Sequence, residues 1–302
     1  MTVLSLDGGG VRGLFGLFIL EAYQHHLDKA HERMRLRDKF ADGIVGCSAG
    51  SILGALVAFD TFGTKSTEEL LRLLPQVFAG RTATGPVFDT LYDGRGKRAA
   101  LTELFGAETK LCTSPVRLVV CCTNLLDGSP LLYDSKNKEH GDVLLVDVLD
   151  ASSAVPVMFP AVRIRNVPVV DGSLHFINPV LVALQMVLET LSPAVDRKIF
   201  SIGYARSPEM KEDLMYTERQ GFGLCSLVTN GFFRNLAKDN NPVPMSVAKH
   251  VLGDGNVCRV EATKYFAMDA VGQEVVLAIK KDSNEQWTVV NARVCKFLSP
   301  DV

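Results

Sequence analysis

Apolar positions along the chain fall into short dense blocks separated by longer runs with three-to-four spacing. The block TVLSL (2–6) reads as a short buried strand, and the run from Gly13 to about His31 has helical spacing. DGIVGCS (42–48) reads as a strand tail entering a sharp turn, and AGSILGALVAF continues it as an apolar helix. Residues 64–83 carry TEELLRLLPQVF and predict a helix interrupted at Pro75. A glycine-dotted loop (80–96) leads into KRAALTELFG. VRLVVCCTNL (116–125) predicts a buried strand, and GSPLLYDS a second one after an Asp-Gly turn. DVLLVDVLDASSAV reads as a helical stretch stopped by Pro156, VPVVDGS (167–173) as a strand ending in a loop. PVLVALQMVLETL predicts a helix with Pro179 near its start, and RKIFSIGYA a further strand. This alternation points to an α/β domain around a largely parallel, buried sheet. Beyond about residue 206 the pattern gives no comparable reading.

Composition narrows the class. The 302 residues suit one large domain or two small ones, and Lys+Arg 32 against Asp+Glu 34 leaves a net charge of -2, no footprint for nucleic acid. Seven cysteines without C-x-x-C spacing argue against a disulfide framework or a zinc site, and a reducing, cytoplasmic setting is expected. Asp7 and the glycines interrupt the first apolar run, so no secretory signal is read there. The apolar blocks fall short of the roughly 18–20 residues of a membrane span. Peripheral contact with a membrane surface needs no such segment.

The string GCSAG (46–50) fits G-x-S-x-G between an apolar strand and an apolar helix. In that context a serine occupies a strained turn with its hydroxyl projecting from the sheet, and small neighbours are required because other side chains would collide. Ser48 is therefore the candidate nucleophile, with Gly46 and Gly50 as supporting positions. Acyl transfer also needs donors for an oxyanion, and Gly8, Gly9 and Gly10 of LSLDGGGVRG offer closely spaced N–H groups at a strand–helix junction. Arg12 either orients this loop, meets a lipid phosphate or is a plain surface charge; Gly13 completes the motif. The same glycines match G-x-G-x-x-G, but a dinucleotide site wants an acidic residue at a strand end about 20 positions later, and Glu32 lies in a charged helix end.

The serine needs a base. Asp171 of VVDGS stands at the end of an apolar strand, where partial burial raises a carboxylate pKa toward a useful range. His250 would complete a conventional triad in chain order, and His175 is the nearer rival.

Three motifs in order, DGGGVRG (7–13), GCSAGS (46–51) and DGS (171–173), resemble those of the patatin-like lipid acyl hydrolases. ASSAVPVMFPAV (151–162), YDGRGKRAALTELFG and VVCCTNLLDGSPLLYDS are similar to that family as well. The likeness covers residues 3 to about 205. It implies a three-layer α/β/α fold, a catalytic core over 1–205 and a C-terminal part of the same domain over 206–302. It further implies a Ser48–Asp171 dyad, an oxyanion hole from Gly8, Gly9 and Gly10, support from Gly172, and calcium-independent ester hydrolysis with neither metal nor cofactor. Two departures stand out: Ser173 where the family usually has Gly or Ala, and Ile177 where it often has Asn. The expected substrate is a phospholipid or related lipid ester. Other acyl groups, for an esterase, thioesterase or transacylase, and a non-hydrolytic lipid-binding regulator are the alternatives. A homo-oligomer or a regulatory ligand fits the need to restrain such an activity. NGFFRNL (230–236) and PVFDTLY (86–92) are weighed as an apolar rim against ordinary core packing.

Overall fold

In a computed structural model of the chain, the described residues are 1–30, 34–61, 64–83, 89–189, 196–204, 242–267 and 269–299. His31, NGFFRNL (230–236) and residues 86–88 lie outside them.

Strands β1 (Thr2–Leu6), β2 (Gly43–Cys47), β3 (Leu118–Asn124) and β7 (Lys198–Gly203) are buried almost throughout. With β4 (Pro130–Asp134), β5 (Val162–Ile164), β6 (Val167–Asp171) and β8 (Val257–Glu261) they form one 8-stranded sheet, ordered β5-β6-β3-β2-β1-β7-β8, with β4 also on β3. The β3–β2–β1–β7–β8 ladders are parallel, and β4, β5 and β6 join antiparallel. The sheet is mixed but largely parallel, with helices on both faces.

Two-residue periodicity divides the strands cleanly between the faces. Leu4, Leu6, Ile44, Leu118, Val120 and Phe200 pack toward α1 (Gly13–Lys29), α3 (Ala49–Ala58) and α6 (Leu145–Ser152). Val3, Val45, Val119 and Ile199 pack toward α8 (Val180–Leu188). Because both faces are covered, the central strands read as unbroken apolar runs. Phe200 is fully buried and stacks on Phe40 at 6.1 Å; truncating it to alanine would cost about 3–5 kcal/mol.

The remaining helices are α2 (Leu36–Lys39), α4 (Thr64–Val77), α5 (Arg95–Phe105), α7 (Ser173–Phe176), α9 (Val243–Leu252) and α10 (Gln273–Leu298). Helix α4 runs through Pro75 to Val77 instead of breaking there. Pro75 lies in the last turn on the exposed side, and Leu70, Leu71 and Leu74 pack on the core, so the helix keeps its packing while losing one hydrogen bond. Helix α10 packs along α1, and β8 extends the sheet beyond β7.

The β3 ladder explains how β6 reaches the centre. Residues 119–121 of β3 pair with both β2 and β4, and residues 122–123 with both β4 and β6. A strand has two edges, and β4 runs continuously along one. On the other, β6 therefore takes over where β2 ends. Cys47 is level with Cys121 and Asp171 with Cys122, so the ends of β2 and β6 meet.

Candidate active site

Beyond Cys47 the chain turns sharply. Ser48 has φ 52° and ψ -126°, a region that costs a non-glycine residue about 1–3 kcal/mol. The turn is held on both sides. The Ser48 N–H donates to Ser152 Oγ at 3.0 Å, and the Ser152 hydroxyl donates to the Cys121 carbonyl at 2.7 Å. The Ser51 hydroxyl and N–H both donate to the Ser48 carbonyl, at 2.6 and 2.9 Å. Gly46 and Gly50 permit backbone-to-backbone packing: a Cβ on Gly46 would lie 2.6 Å from Ser51 Cα, and one on Gly50 2.5 Å from the Asp7 carbonyl. Nothing in the sequence beyond its place in ASSAV marks Ser152.

Asp171 is fully buried at the end of β6. Its Oδ1 accepts the Ser173 N–H at 2.7 Å and the Cys47 thiol at 3.9 Å, and its main-chain carbonyl accepts the Thr123 hydroxyl at 2.9 Å. Oδ2 has no hydrogen-bond partner among the described residues. Burial pushes the carboxyl pKa up, and the Ser48 hydroxyl, the Ser173 N–H and hydroxyl and the Lys97 charge pull it back. Ser48 is thus near enough to favour the charged carboxylate, although its approach falls short of a hydrogen bond of ordinary geometry. Gly172 lets the chain leave Asp171 beside β3, since a Cβ there would lie 2.9 Å from the Cys122 nitrogen.

The glycine loop lies against Ser48: a Cβ on Gly8 would be 3.2 Å from Ser48 Cβ, and one on Gly13 2.9 Å from Ala49 Cβ. Of its three expected donors one is engaged, because the Gly8 N–H donates to the Ile177 carbonyl at 2.8 Å. The N–H groups of Gly9 and Gly10 donate to no backbone carbonyl among the described residues. Gly10 has φ +59°, which suits glycine. Arg12 is buried rather than a surface charge; its Nε donates to the Gly9 carbonyl at 3.0 Å and its guanidinium lies 5.2 Å over the Tyr265 ring. Burial lowers its pKa, with Tyr265, Tyr204 and Asp7 opposing that shift.

The histidines stand apart from this arrangement. His175 pairs through Nε2 with the Gly128 carbonyl at 2.8 Å, and His250 is exposed on α9. No hydrogen bond joins a described histidine to Ser48 or Asp171. Among the described residues no three His, Cys, Asp or Glu side chains are grouped to hold a metal ion.

Ser48 and Gly10 open onto a cavity of about 110 Å³ between α1, α3, α4 and α5, lined by side chains such as Leu14, Leu17, Ile52, Leu53, Leu73 and Phe159. Lys97 is the one charged side chain among its described lining residues. Its ammonium is turned onto Asp150, 2.8 Å from the carbonyl and 3.0 Å from Oδ1, and lies 4.4 Å from the Phe159 ring centre. Tyr92, the described end of the proposed 86–92 rim, is packed against Phe78 and Phe159 and belongs to the core.

Comparison with known proteins bears on the family of the chain. A sequence model of the patatin-like phospholipase family matches residues 4–184. Patatin-like protein 3 of Arabidopsis thaliana is 29% identical over 231 residues, covering 63% of this chain and 53% of its own length. Patatin-2-Kuras 1 of Solanum tuberosum is 26% identical over 169 residues, covering 53% and 45%. The chain thus spans about half the length of the curated relatives it matches. The crystal structure of VipD from Legionella pneumophila superposes with a TM-score of 0.48 at 12% identity, covering 96% of this chain and 66% of that one. With more than half of its length matched by the family's sequence model, this chain belongs to the patatin-like phospholipase family.

Proposed function

We propose that the chain is a serine acyl hydrolase that releases fatty acids from phospholipids or related lipid esters, using Ser48 as nucleophile and Asp171 as base. The observation that carries this reading is the pairing of a strained, buried serine on an apolar cavity with a buried carboxylate beside it, one oxygen of which bonds to none of the described residues. The Ser48 hydroxyl attacks the ester carbonyl and its proton passes to Asp171. The Gly9 and Gly10 N–H groups hold the oxyanion, each such donor being worth about 2.7–4 kcal/mol. The C–O bond then breaks and the alcohol leaves with the proton from Asp171, while the acyl chain stays on Ser48 in the apolar cavity. Water gives a proton to Asp171 as it attacks the acyl-enzyme, and that proton returns to Ser48 as the fatty acid departs.

These steps use no calcium. Lipid reaches the cavity from a bilayer surface by peripheral contact; no described helix is long and apolar enough to cross a membrane. The test is fatty-acid release from mixed phospholipid vesicles with EDTA present. Wild type should be active and Ser48→Ala inactive; a wild type inert on vesicles and on a small soluble ester overturns the reading.

A further inference from the structure

The glycine loop is gripped from behind by the last strand of the sheet. Asp7 opens the loop and is 3% exposed. Arg259 of β8 donates from Nη2 to Asp7 Oδ2 at 2.6 Å and from Nη1 to Oδ1 at 3.2 Å. Nη1 also meets Ser201 Oγ at 2.6 Å, and Nε meets Glu261 Oε1 at 2.6 Å. A planar fork suits this bidentate grip better than an ammonium would. Space for it comes from Gly203, where a Cβ would lie 2.5 Å from Arg259 Cζ. Val257 packs on the α8 face, Cys258 and Val260 on the α1 face, so Arg259 shares the α8 side. The cavity lies on the other side of the sheet, and Arg259 is not part of its lining.

We propose that Arg259 is a positioning residue: by holding Asp7 from the far face of the sheet, it fixes the Gly9 and Gly10 N–H groups beside Ser48. This rests on the hydrolase reading above. The pair spans 252 positions of sequence and makes the oxyanion loop depend on residues near the other end of the chain. Tyr204 packs on the same loop, its ring lying against Gly9 so closely that a Cβ there would be 2.7 Å from Cε2.

The experiment compares wild type, Arg259→Lys, Gly203→Ala and Ser48→Ala in the full chain. It measures kcat and KM on a medium-chain p-nitrophenyl ester, together with hydrogen exchange of the Asp7 and Gly8 amides, which bond to the Ile202 and Ile177 carbonyls. Arg259→Lys keeps the charge but loses the fork. It should lower kcat on the order of 10²-fold, as loss of an oxyanion donor does, with KM within about twofold. Exchange should rise in the loop while β1 and α3 stay protected. Unchanged kcat and loop exchange, or protection lost evenly across the sheet, overturns the proposal. If either single variant fails to fold, Asp7→Asn/Arg259→Met removes both buried charges together; it should fold and be slow, and full activity overturns the proposal. An inert wild type or an active Ser48→Ala defeats the hydrolase reading instead, and the exchange data then decide the loop question independently.

Discussion

Two buried carboxylates flank the Ser48 turn, and their surroundings are opposite. Asp7 is closed on both oxygens by one guanidinium, while Asp171, more deeply buried, has Oδ1 bonded to the Ser173 N–H and the Cys47 thiol and Oδ2 bonded to none of the described residues. The first arrangement fixes a charge in place. The second leaves burial to push the pKa up, so the group is poised to take a proton. On the proposed reading Asp7 is an anchor and Asp171 a base, and what each carboxylate touches, not burial, separates the two.

The largest effect expected from this contrast is on catalysis. Asp171→Asn should lower ester hydrolysis by about 10²–10⁴-fold, the usual worth of a general base. It should leave the melting temperature equal or higher, because the amide keeps the Ser173 contact and removes a buried charge. A variant that melts early and keeps its activity would assign Asp171 to the scaffold. The anchor should behave the other way. Arg259→Met removes the guanidinium from both Asp7 oxygens, which costs about 3–5 kcal/mol by denaturant titration.

The pH dependence sharpens the same comparison. With its pKa raised, Asp171 is ionised only above that value, so kcat/KM should fall as pH drops through a midpoint higher than the ordinary 3.8. Lys97 favours the charged form, and Lys97→Met should move this acid limb to higher pH. The stability sign follows from linkage. A carboxyl with a raised folded pKa contributes stability below its unfolded pKa and loses it as pH rises through the folded one. Asp171→Asn should therefore gain on wild type across that window in melting curves. The smallest effects belong to the histidines: His250→Ala and His175→Ala should each stay within about twofold of wild-type turnover. A collapse in either would restore a triad.

Legibility in the sequence follows the same divide. The central strands through residue 203 can be read because both faces of the sheet are covered, whereas the three-residue β5, with Arg163 exposed, gives no strand pattern, and Ser48 and Asp171 stand out by the small residues beside them. The later elements hide their period. Helix α9 turns Val243, Val247 and Val251 outward and fully buries only Ala248, so its apolar stripe points away from its packing face. Helix α10 buries Asp282 and Ser283 along with Ile279 and Val294, which breaks the hydrophobic repeat. Asp282 is satisfied there by the Thr263 hydroxyl and by the N–H groups of Thr263 and Lys264. In β8 the charged Arg259 and Glu261 mask a strand, and nothing local marks Arg259 as the partner of Asp7. The commitment of the Gly8 N–H to Ile177 is equally invisible, because it depends on where the chain passes after Asp171.

The most direct test of the central claim is covalent labelling with an alkyl fluorophosphonate, followed over time by mass spectrometry of the intact chain and its peptides. The account predicts one stable adduct on the peptide carrying Ser48, none in Ser48→Ala, and labelling in Asp171→Asn slowed by about 10²-fold or more. Labelling at another residue, or a rate on Ser48 indifferent to Asp171→Asn, would contradict it.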